Sequence, residues 1–195
     1  LGCIEENQQT YSKQRMKYIL EGQETERLKF RLLNERDFDE WVELFTDNDV
    51  SKVLGMDKIG TPKEQCEKWF EWTFDRYKNN LGGQNILINK STNKIIGQSG
   101  LLVREIDGIK EIEVAYSILP SFRQKGFATE ASQKCRDYAF ENNFSKRLIS
   151  IINTKNPNSA KVALNNGMQN DRTIDFHGNQ VNIYQITIDQ WKKLK

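Results

Sequence analysis

The sequence predicts one mixed α/β domain with an antiparallel meander in the middle of the chain. Its 195 residues match the usual size of a single domain, and 37% hydrophobic residues, with four Trp, six Tyr and ten Phe, suffice for a well-filled core. The apolar residues switch between a period of two and a helical period along the chain, without an internal repeat. The predicted order of elements is β-α-α-β-β-β-α-β-α-β-β.

The composition argues against several kinds of partner. Lys and Arg number 29 against 27 Asp and Glu, a net charge of +2. We expect no nucleic-acid partner, because phosphate binding favours a larger basic excess. His177 is the single histidine, and the three cysteines, Cys3, Cys66 and Cys135, stand far apart with no CxxC or HExxH. We therefore predict no bound metal.

The same features bear on compartment. An odd number of scattered cysteines is typical of a reducing compartment, so we predict a cytoplasmic protein. No apolar stretch approaches the roughly 18 residues that a membrane helix needs, so no membrane partner is expected. The sequence leaves a monomer and a homodimer equally open.

Residues 1–24 are polar and rich in Gln and Glu. Tyr11, Arg15, Tyr18 and Ile19 form a weak helical stripe, from which we predict an N-terminal extension with a short helix. Residues 25–195 are predicted to form the single domain. Because the extension holds few apolar side chains, its deletion is expected to leave the domain folded.

A strand and two helices open the domain. Leu28, Phe30 and Leu32 alternate with basic residues over 26–33, which is the period of a strand with one buried face. Asn34 is predicted to begin the first helix, and the capping box Thr61-Pro-Lys-Glu64 the second, which ends near residue 77. The inner faces are predicted from apolar spacing as Phe38, Trp41, Val42 and Phe45, then Cys66, Trp69, Phe70, Thr73, Phe74 and Tyr77.

The middle of the chain is predicted to be the meander. Residues 85–89 and 94–103 have the composition of two strands, and Ser91-Thr-Asn93 supplies the turn between them. Asp107-Gly108 supplies the next turn, and residues 111–119 the next strand.

Strand and helix then alternate. Helical period returns over 129–142, and residues 148–152 form a short apolar strand. A small helix is predicted over 158–165, ending at Gly167, and residues 181–188 alternate again before a polar tail.

The most informative stretch joins the strand ending at Leu119 to the helix beginning near Thr129. At such a junction the first N–H groups of the helix are unpaired and lie at the positive end of the helix dipole, which favours a phosphate. Gly126 lets the backbone approach a ligand, and Arg123 and Lys125 add positive charge. The stretch is neither a GxGxxG nor a P-loop, so we predict an anion held without a metal. The alternative is a solvated helix entry.

Several short motifs in one order resemble the GNAT superfamily of N-acetyltransferases. Arg123-x-x-Gly126-x-Ala128 resembles its pyrophosphate loop, and Glu113-Val-Ala-Tyr-Ser-Ile-Leu-Pro120 the strand before it. The resemblance continues through Ile96-Gly97-Gln-Ser-Gly100, Asn156-Pro-Asn-Ser159 and Leu164-Asn-Asn-Gly-Met168. It spans about residues 25–190 and is most similar to the branch of ribosomal-protein N-terminal acetyltransferases.

The resemblance implies a fold and a donor. The fold would be a central, mostly antiparallel sheet with flanking helices, splayed at two parallel strands over 111–119 and 147–152. The donor would be acetyl-CoA, its pantetheine arm lying in the opening. The residues implied at the donor site are Ser117, Ile118 and Leu119 by their backbone, then Arg123, Gln124, Lys125, Gly126, Phe127, Ala128 and Thr129 around the pyrophosphate, and Asn156.

The resemblance also implies a catalytic pair. Acetyl transfer needs a base for the amine and a proton donor for the leaving sulfur. Glu113 is the candidate base and Ser159 the candidate proton donor. The alternatives are a solvated strand face for Glu113, with Glu111 beside it, and ordinary N-capping for Asn156 and Ser159. His177, next to Gly178, is interpreted as a turn residue.

The acceptor site is the least specific part of the sequence. The branch often carries Gly and Trp where Ala115 and Ser117 stand, and many family members place a Tyr on the small helix, which this chain lacks. Trp41 and Tyr184 are the predicted contacts to the acceptor, a small-molecule amine or a protein N-terminus, with Asp47, Met56 and Trp72 as further candidates. A binding protein that senses acyl-CoA without turnover is the alternative function.

Overall fold

A computed structural model describes residues 16–195 and contains one seven-stranded sheet. The strands are β1 (Leu28–Arg31), β2 (Gly82–Asn89), β3 (Ile95–Ile106), β4 (Ile109–Ile118), β5 (Arg147–Asn153), β6 (Gln169–Phe176) and β7 (Asn179–Thr187). Their order is β1-β2-β3-β4-β5-β7-β6, and every neighbouring pair is antiparallel except β4 and β5. The predicted meander and the predicted parallel pair are both present.

The parallel pair separates almost at once. Strands β4 and β5 pair only at Glu113 opposite Ile149. One step further along β4, the Ser150 hydroxyl donates to the Val114 carbonyl at 2.7 Å, so a side chain takes the acceptor that a continuing ladder would use. Beyond this point the two strands splay and leave an opening in the sheet.

Tight turns hold the meander. At the β3–β4 hairpin, Asp107 and Gly108 have φ of 53° and 74°. Positive φ at both central positions is the two-residue turn that matches strand twist, and Asp-Gly favours it. The predicted turn is therefore confirmed, and β3 and β4 pair without a break from Gly97–Ile118 to Ile106–Ile109.

The helices that pack on the sheet begin, with one exception, at a side-chain cap. They are α3 (Pro62–Lys78), α4 (Phe127–Glu141) and α5 (Pro157–Asn165), with the short α6 (Ile188–Lys192) near the C-terminus. At the start of α3, Thr61 Oγ1 accepts from Glu64 N at 3.3 Å and Glu64 Oε2 accepts from Thr61 N at 2.6 Å. This is the predicted capping box.

The helix predicted after Asn34 is broken into pieces. A 3-10 turn at Glu35–Asp37 leads into α1 (Phe38–Trp41), a second 3-10 segment at Val42–Thr46 and α2 (Asn48–Val53). The break falls at Asp47, which has extended backbone and accepts from Asp49 N at 3.0 Å as the cap of α2. Asp favours a cap over a helix interior, so the helix restarts there.

Helices α3 and α4 cover opposite faces of the sheet. Ile86 packs in a cluster with Cys66, Phe70 and Tyr77 of α3, whereas its neighbour Leu87 packs in a cluster with residues of α4. Successive strand residues point to opposite faces, so the core has two layers. Residues facing α3 include Gln98 and Ser117, because these two lie opposite each other and in register with Ile86.

The segment before β1 contributes to this core. Tyr18, Ile19 and Leu20 are buried, and Leu20 N donates to Asn85 Oδ1 of β2 at 3.2 Å. Residues 16–24 form turns, and the part of the predicted helix before Met16 lies outside the described residues. Residues 18–20 therefore belong to the packed domain, although the sequence prediction placed them before its start.

Deleting residues 1–24 should destabilise the domain, contrary to the expectation from composition. Each of the three buried side chains contributes roughly 1.5–3 kcal/mol. Leu20→Ala alone should lower the free energy of unfolding by about 2–5 kcal/mol, measured by urea denaturation. Glu21→Ala, at an exposed neighbour without a hydrogen bond in the described chain, is the control and should change it little. Equal stability of both variants would show that this segment does not support the core.

Within residues 16–195, no helix combines the length and the apolar character needed to cross a bilayer.

Candidate active site

In the described part of the chain, six consecutive backbone N–H groups are unpaired where β4 gives way to α4. From Gln124 to Thr129, none of them has a hydrogen-bond acceptor within residues 16–195. Gln124 and Gly126 both have positive φ, 60° and 81°, so the chain coils into a concave loop before the helix begins. Gly126 is the N-cap of α4 and supplies no side-chain oxygen. An anion is the ligand that satisfies such donors at the start of a helix.

Charged side chains brace this loop from outside. Arg27 donates from Nη1 to the Lys125 carbonyl at 3.0 Å, stacks on the Phe127 ring at 4.5 Å and pairs with Glu130 at 2.6 Å. Arg123 donates from Nε to the Ile118 carbonyl at 3.1 Å. Lys125 Nζ donates to a carbonyl of the preceding turn at 3.0 Å. These cations hold the loop in shape and leave its N–H groups free.

The edge of β4 in the opening presents alternate residues. Leu119 N donates to Ile96 O of β3 at 3.0 Å. The N–H and C=O groups of successive residues point to alternate sides of an antiparallel strand. Those of Ser117 therefore also point toward β3, whereas those of Tyr116 and Ile118 point into the opening. The prediction that the backbone of Ser117 and Leu119 contacts a ligand in the opening is therefore wrong, because their N–H and C=O groups point toward β3. Ser117 still lines the cleft beside it.

A cleft of about 540 Å³ lies between the splayed strands, α3 and the β6–β7 turn. Its size lies within the ~300–1,000 Å³ typical of small-molecule sites. The residues that line its walls come from nine elements and their loops, and include Leu54, Trp69, Trp72, Gln84, Arg104, Glu113, Tyr116, Ser150, Asn156, Ser159, Phe176 and His177.

Glu113 is buried at the base of this cleft and is held by an arginine. Its Oε2 accepts from Arg104 Nε at 2.6 Å, and its other oxygen has no partner within residues 16–195. Glu111, two residues earlier on the same strand face, does not line the cleft and lies 3.5 Å from Arg147 Nε. Neither glutamate lies on a solvated strand face, because both are more than 90% buried.

The first turn of α5 forms the opposite wall. Asn156 caps the helix, since its Oδ1 accepts from Ser159 N at 3.0 Å, and both residues also line the cleft. Tyr116 Oη donates to the Ser159 carbonyl at 2.8 Å and so ties α5 to β4. Burial, with the nearby Glu113 charge, raises the pKa of the Tyr116 hydroxyl, which keeps this donor protonated. The Ser159 hydroxyl makes no hydrogen bond within the described chain.

The comparison with known families decides what kind of site this is. A family model described as an acetyltransferase (GNAT) domain matches residues 27–169, from the start of the sheet into β6. The chain belongs to the GNAT acetyltransferase family. The predicted family and fold are thereby confirmed, and the protein is an acetyltransferase.

Several proteins are similar to the chain over most of its length. The uncharacterized protein YkkB of Bacillus subtilis (strain 168) is 26% identical over 162 residues, which are 83% of this chain and 92% of YkkB. The acetyltransferase of Agrobacterium tumefaciens str. C58 has a TM-score of 0.70 at 24% identity, over 84% of this chain and 92% of its own. RimL, a ribosomal L7/L12 alpha-N-protein acetyltransferase solved with coenzyme A, has a TM-score of 0.69 at 16% identity, over 85% and 97% of the two chains.

Both described cysteines of this GNAT domain lie in the core. Cys66 and Cys135 are buried and unpaired, and burial raises the pKa of each thiol to about 12. A protonated thiol is a weak nucleophile. Neither residue lines the cleft, so neither is placed to carry an acetyl group.

The two predicted acceptor contacts are not on the walls of the cleft. Trp41 is fully buried in the cluster beside α3, and Tyr184 is buried in the cluster beside α4. Large aromatic side chains of a small domain most often lie in the core, and both of these do. The aromatic walls are Trp69, Phe176 and Trp72, the last being one of the further candidates for the acceptor site. His177 does occupy a turn, with φ of 53°, but it also lines the cleft.

Proposed function

We propose that this GNAT protein transfers the acetyl group of acetyl-CoA directly to a primary amine, with Glu113 receiving a proton from the amine. The observation that carries the proposal is the unpartnered oxygen of a buried glutamate in a cleft lined by β4, the strand that leads into the six free backbone N–H groups. Such an arrangement combines an anion site, which suits the phosphates of acetyl-CoA, with a base, which suits the amine.

The residues fit coenzyme A at two points. The N–H groups from Gln124 to Thr129 would bind the pyrophosphate, with Gly126 leaving room for it. The backbone of Tyr116 and the N–H group of Ile118 would pair with pantetheine in the opening, while the Ile118 carbonyl already accepts from Arg123. RimL, which is similar in fold, was solved with coenzyme A and supports this assignment.

The chemistry divides between the two walls of the cleft. Bound acetyl-CoA supplies a thioester, and attack by the amine forms a C–N bond as the C–S bond breaks. The ammonium gives up two protons overall. Glu113 accepts one of them and later releases it to solvent. Ser159 passes the other to the leaving sulfur. Tyr116 is a positioning residue, because its hydroxyl holds the backbone of Ser159 against β4. Asn156 orients the same turn by capping it.

Transfer is direct in this proposal. A covalent acetyl-cysteine would need a thiolate in the cleft, and both described cysteines are buried thiols with raised pKa. We also propose that the protein works in the cytoplasm, where such reduced thiols are usual. The expectations of a monomer or homodimer, without nucleic acid, membrane or metal, stay predictions.

A panel of amines tests the proposed function. The protein with acetyl-CoA should release thiol only when a suitable amine is present, and mass spectrometry should find that amine heavier by one acetyl group. The panel should contain amino acids, alkylamines, polyamines, aminoglycosides and N-terminal peptides. Binding of acetyl-CoA by calorimetry, with no transfer to any amine, would identify a sensor and refute the enzyme.

A further inference from the structure

Arg104 has donors in the cleft that the protein itself does not use. Its Nε pairs with Glu113, but Nη1 and Nη2 have no hydrogen-bond partner within residues 16–195. The side chain is about one-third exposed and lines the cleft. Two adjacent guanidinium N–H groups match a carboxylate, which arginine binds through two parallel hydrogen bonds.

The charges around Arg104 also favour an anion. Arg76 approaches from α3 and donates from Nη2 to the carbonyls of Leu81 and Val103, each at 2.7 Å. Burial and then the charge of Arg104 lower the pKa of Arg76 to about 10. The charges of Arg76 and Arg104 thus oppose each other, and Glu113 is the carboxylate that pairs with Arg104. A bound carboxylate would balance the excess positive charge.

An acceptor for an amine lies on the same sheet face. Gln84 is more than 90% buried and lines the cleft, and its Oε1 is buried without a hydrogen-bond partner in the described chain. Gln84 lies opposite Gly100, and Gly100 opposite Ala115, two residues from Glu113. A buried carbonyl oxygen without a donor is costly, so a bound N–H group would stabilise it.

The remaining walls are apolar and carry little negative charge. Trp69, Trp72 and Phe176 face the cleft, and 44% of Trp72 is exposed. Glu113 is the single acidic side chain among the residues that line the cleft within 16–195. A polycation such as a polyamine or an aminoglycoside needs several carboxylates, so this cleft suits it poorly.

We propose that the acceptor is a free α-amino acid with an apolar side chain. Its carboxylate binds Arg104, its amine lies beside Glu113 and Gln84, and its side chain packs on the tryptophans. The identification of the acceptor rests on the proposed function, whereas the binding of the amino acid does not require turnover.

Three leucine derivatives test the proposal on the unmodified protein. L-leucine, L-leucinamide and 3-methylbutylamine share the apolar chain and the amine but differ at the carboxylate. The kcat/KM for leucine should exceed those of the other two by about 10- to 100-fold, the effect of one hydrogen bond to a charged group. The reactivity of the free molecules predicts the opposite order for leucine and leucinamide. The ammonium group of leucinamide loses its proton more easily, because its neighbour is a neutral amide and not a negative carboxylate. Equal or better use of leucinamide, 3-methylbutylamine or spermidine would overturn the proposal.

A substitution assigns the preference to Arg104. Arg104→Gln should raise KM for leucine about 10- to 100-fold, with a smaller change in kcat, and should remove the preference over leucinamide. Arg172→Gln is the matched control, since Arg172 is similarly exposed on β6 and does not line the cleft. An unchanged preference in Arg104→Gln would contradict the assignment. Acetyl-CoA affinity and the melting temperature report whether each variant is folded.

Calorimetry separates this inference from the proposed function. L-leucine should bind the complex with CoA, and more weakly to Arg104→Gln, even if no amine is acetylated. Absence of leucine binding together with transfer to another amine would overturn the inference and leave the proposed function intact.

Discussion

Glu113→Gln should lower kcat by about 100- to 10,000-fold, which is the usual contribution of general-base catalysis. Glutamine keeps the size of the side chain and can still accept the hydrogen bond from Arg104, but it cannot take a proton from the acceptor. Acetyl-CoA affinity should therefore be unchanged, since the N–H groups from Gln124 to Thr129, which we propose to bind its pyrophosphate, do not line the cleft. Steady-state kinetics with the best amine of the panel measure the first effect, and calorimetry the second.

The pH profile gives this prediction a second readout. The unmodified protein should gain activity with rising pH along a single ionisation, and Glu113→Gln should recover partly at high pH, where the amine loses its proton unaided. Glu111→Gln is the matched control, because Glu111 shares the strand face but pairs with Arg147 outside the cleft. Equal losses at both positions would indicate a charge effect, and full activity in Glu113→Gln would remove the catalytic assignment.

Gly126→Glu should weaken acetyl-CoA binding by at least about 100-fold. The residue has φ of 81°, and a β-carbon there would lie 3.4 Å from Arg27 Nη2. A non-glycine residue in this conformation is strained, and the new carboxylate would repel the pyrophosphate and displace its hydrogen bonds. Arg123→Ala should weaken binding much less, since Arg123 donates to a backbone carbonyl at the end of β4.

Gly108→Glu separates strain from the loss of the anion site. Gly108 also has positive φ, 74°, but lies in the β3–β4 hairpin with nothing within 4 Å of its β-carbon position. The substitution at Gly108 introduces the same strain of a non-glycine residue at positive φ, but away from the proposed ligand. It should therefore lower the melting temperature and leave acetyl-CoA affinity unchanged. Calorimetry showing normal binding by Gly126→Glu would refute the pyrophosphate assignment.

Local signals in the sequence were sufficient for most of the fold. The Thr61 capping box begins α3, and Asp107-Gly108 forms the hairpin turn, because both depend on residues within a few positions of each other. The alternation along β1 and the stripe on α3 also follow from burial of one face. The helix after Asn34 was less predictable, since capping by Asp47 competes with apolar periodicity over the same residues.

The candidate site was only partly visible in the sequence. The loop from Gln124 to Thr129 is one continuous segment that joins a strand to a helix, so its free N–H groups could be anticipated. The partners of Glu113 could not, because Arg104 comes from the neighbouring strand and the aromatic walls from α3 and the β6–β7 turn. Arg27, which braces the loop, lies about a hundred residues before it in the chain.

Residues close together in the chain were sufficient to predict the family and the order of the seven strands, although not the break at Asp47 or the short α6. The tertiary structure decided which aromatic residues form the core and which form the cleft, and it placed Tyr18, Ile19 and Leu20 inside the domain. It also paired Arg104 with Glu113 and left Gln84 without a donor. These contacts join residues that are distant in the chain, and burial between packed elements, not local spacing, sets them.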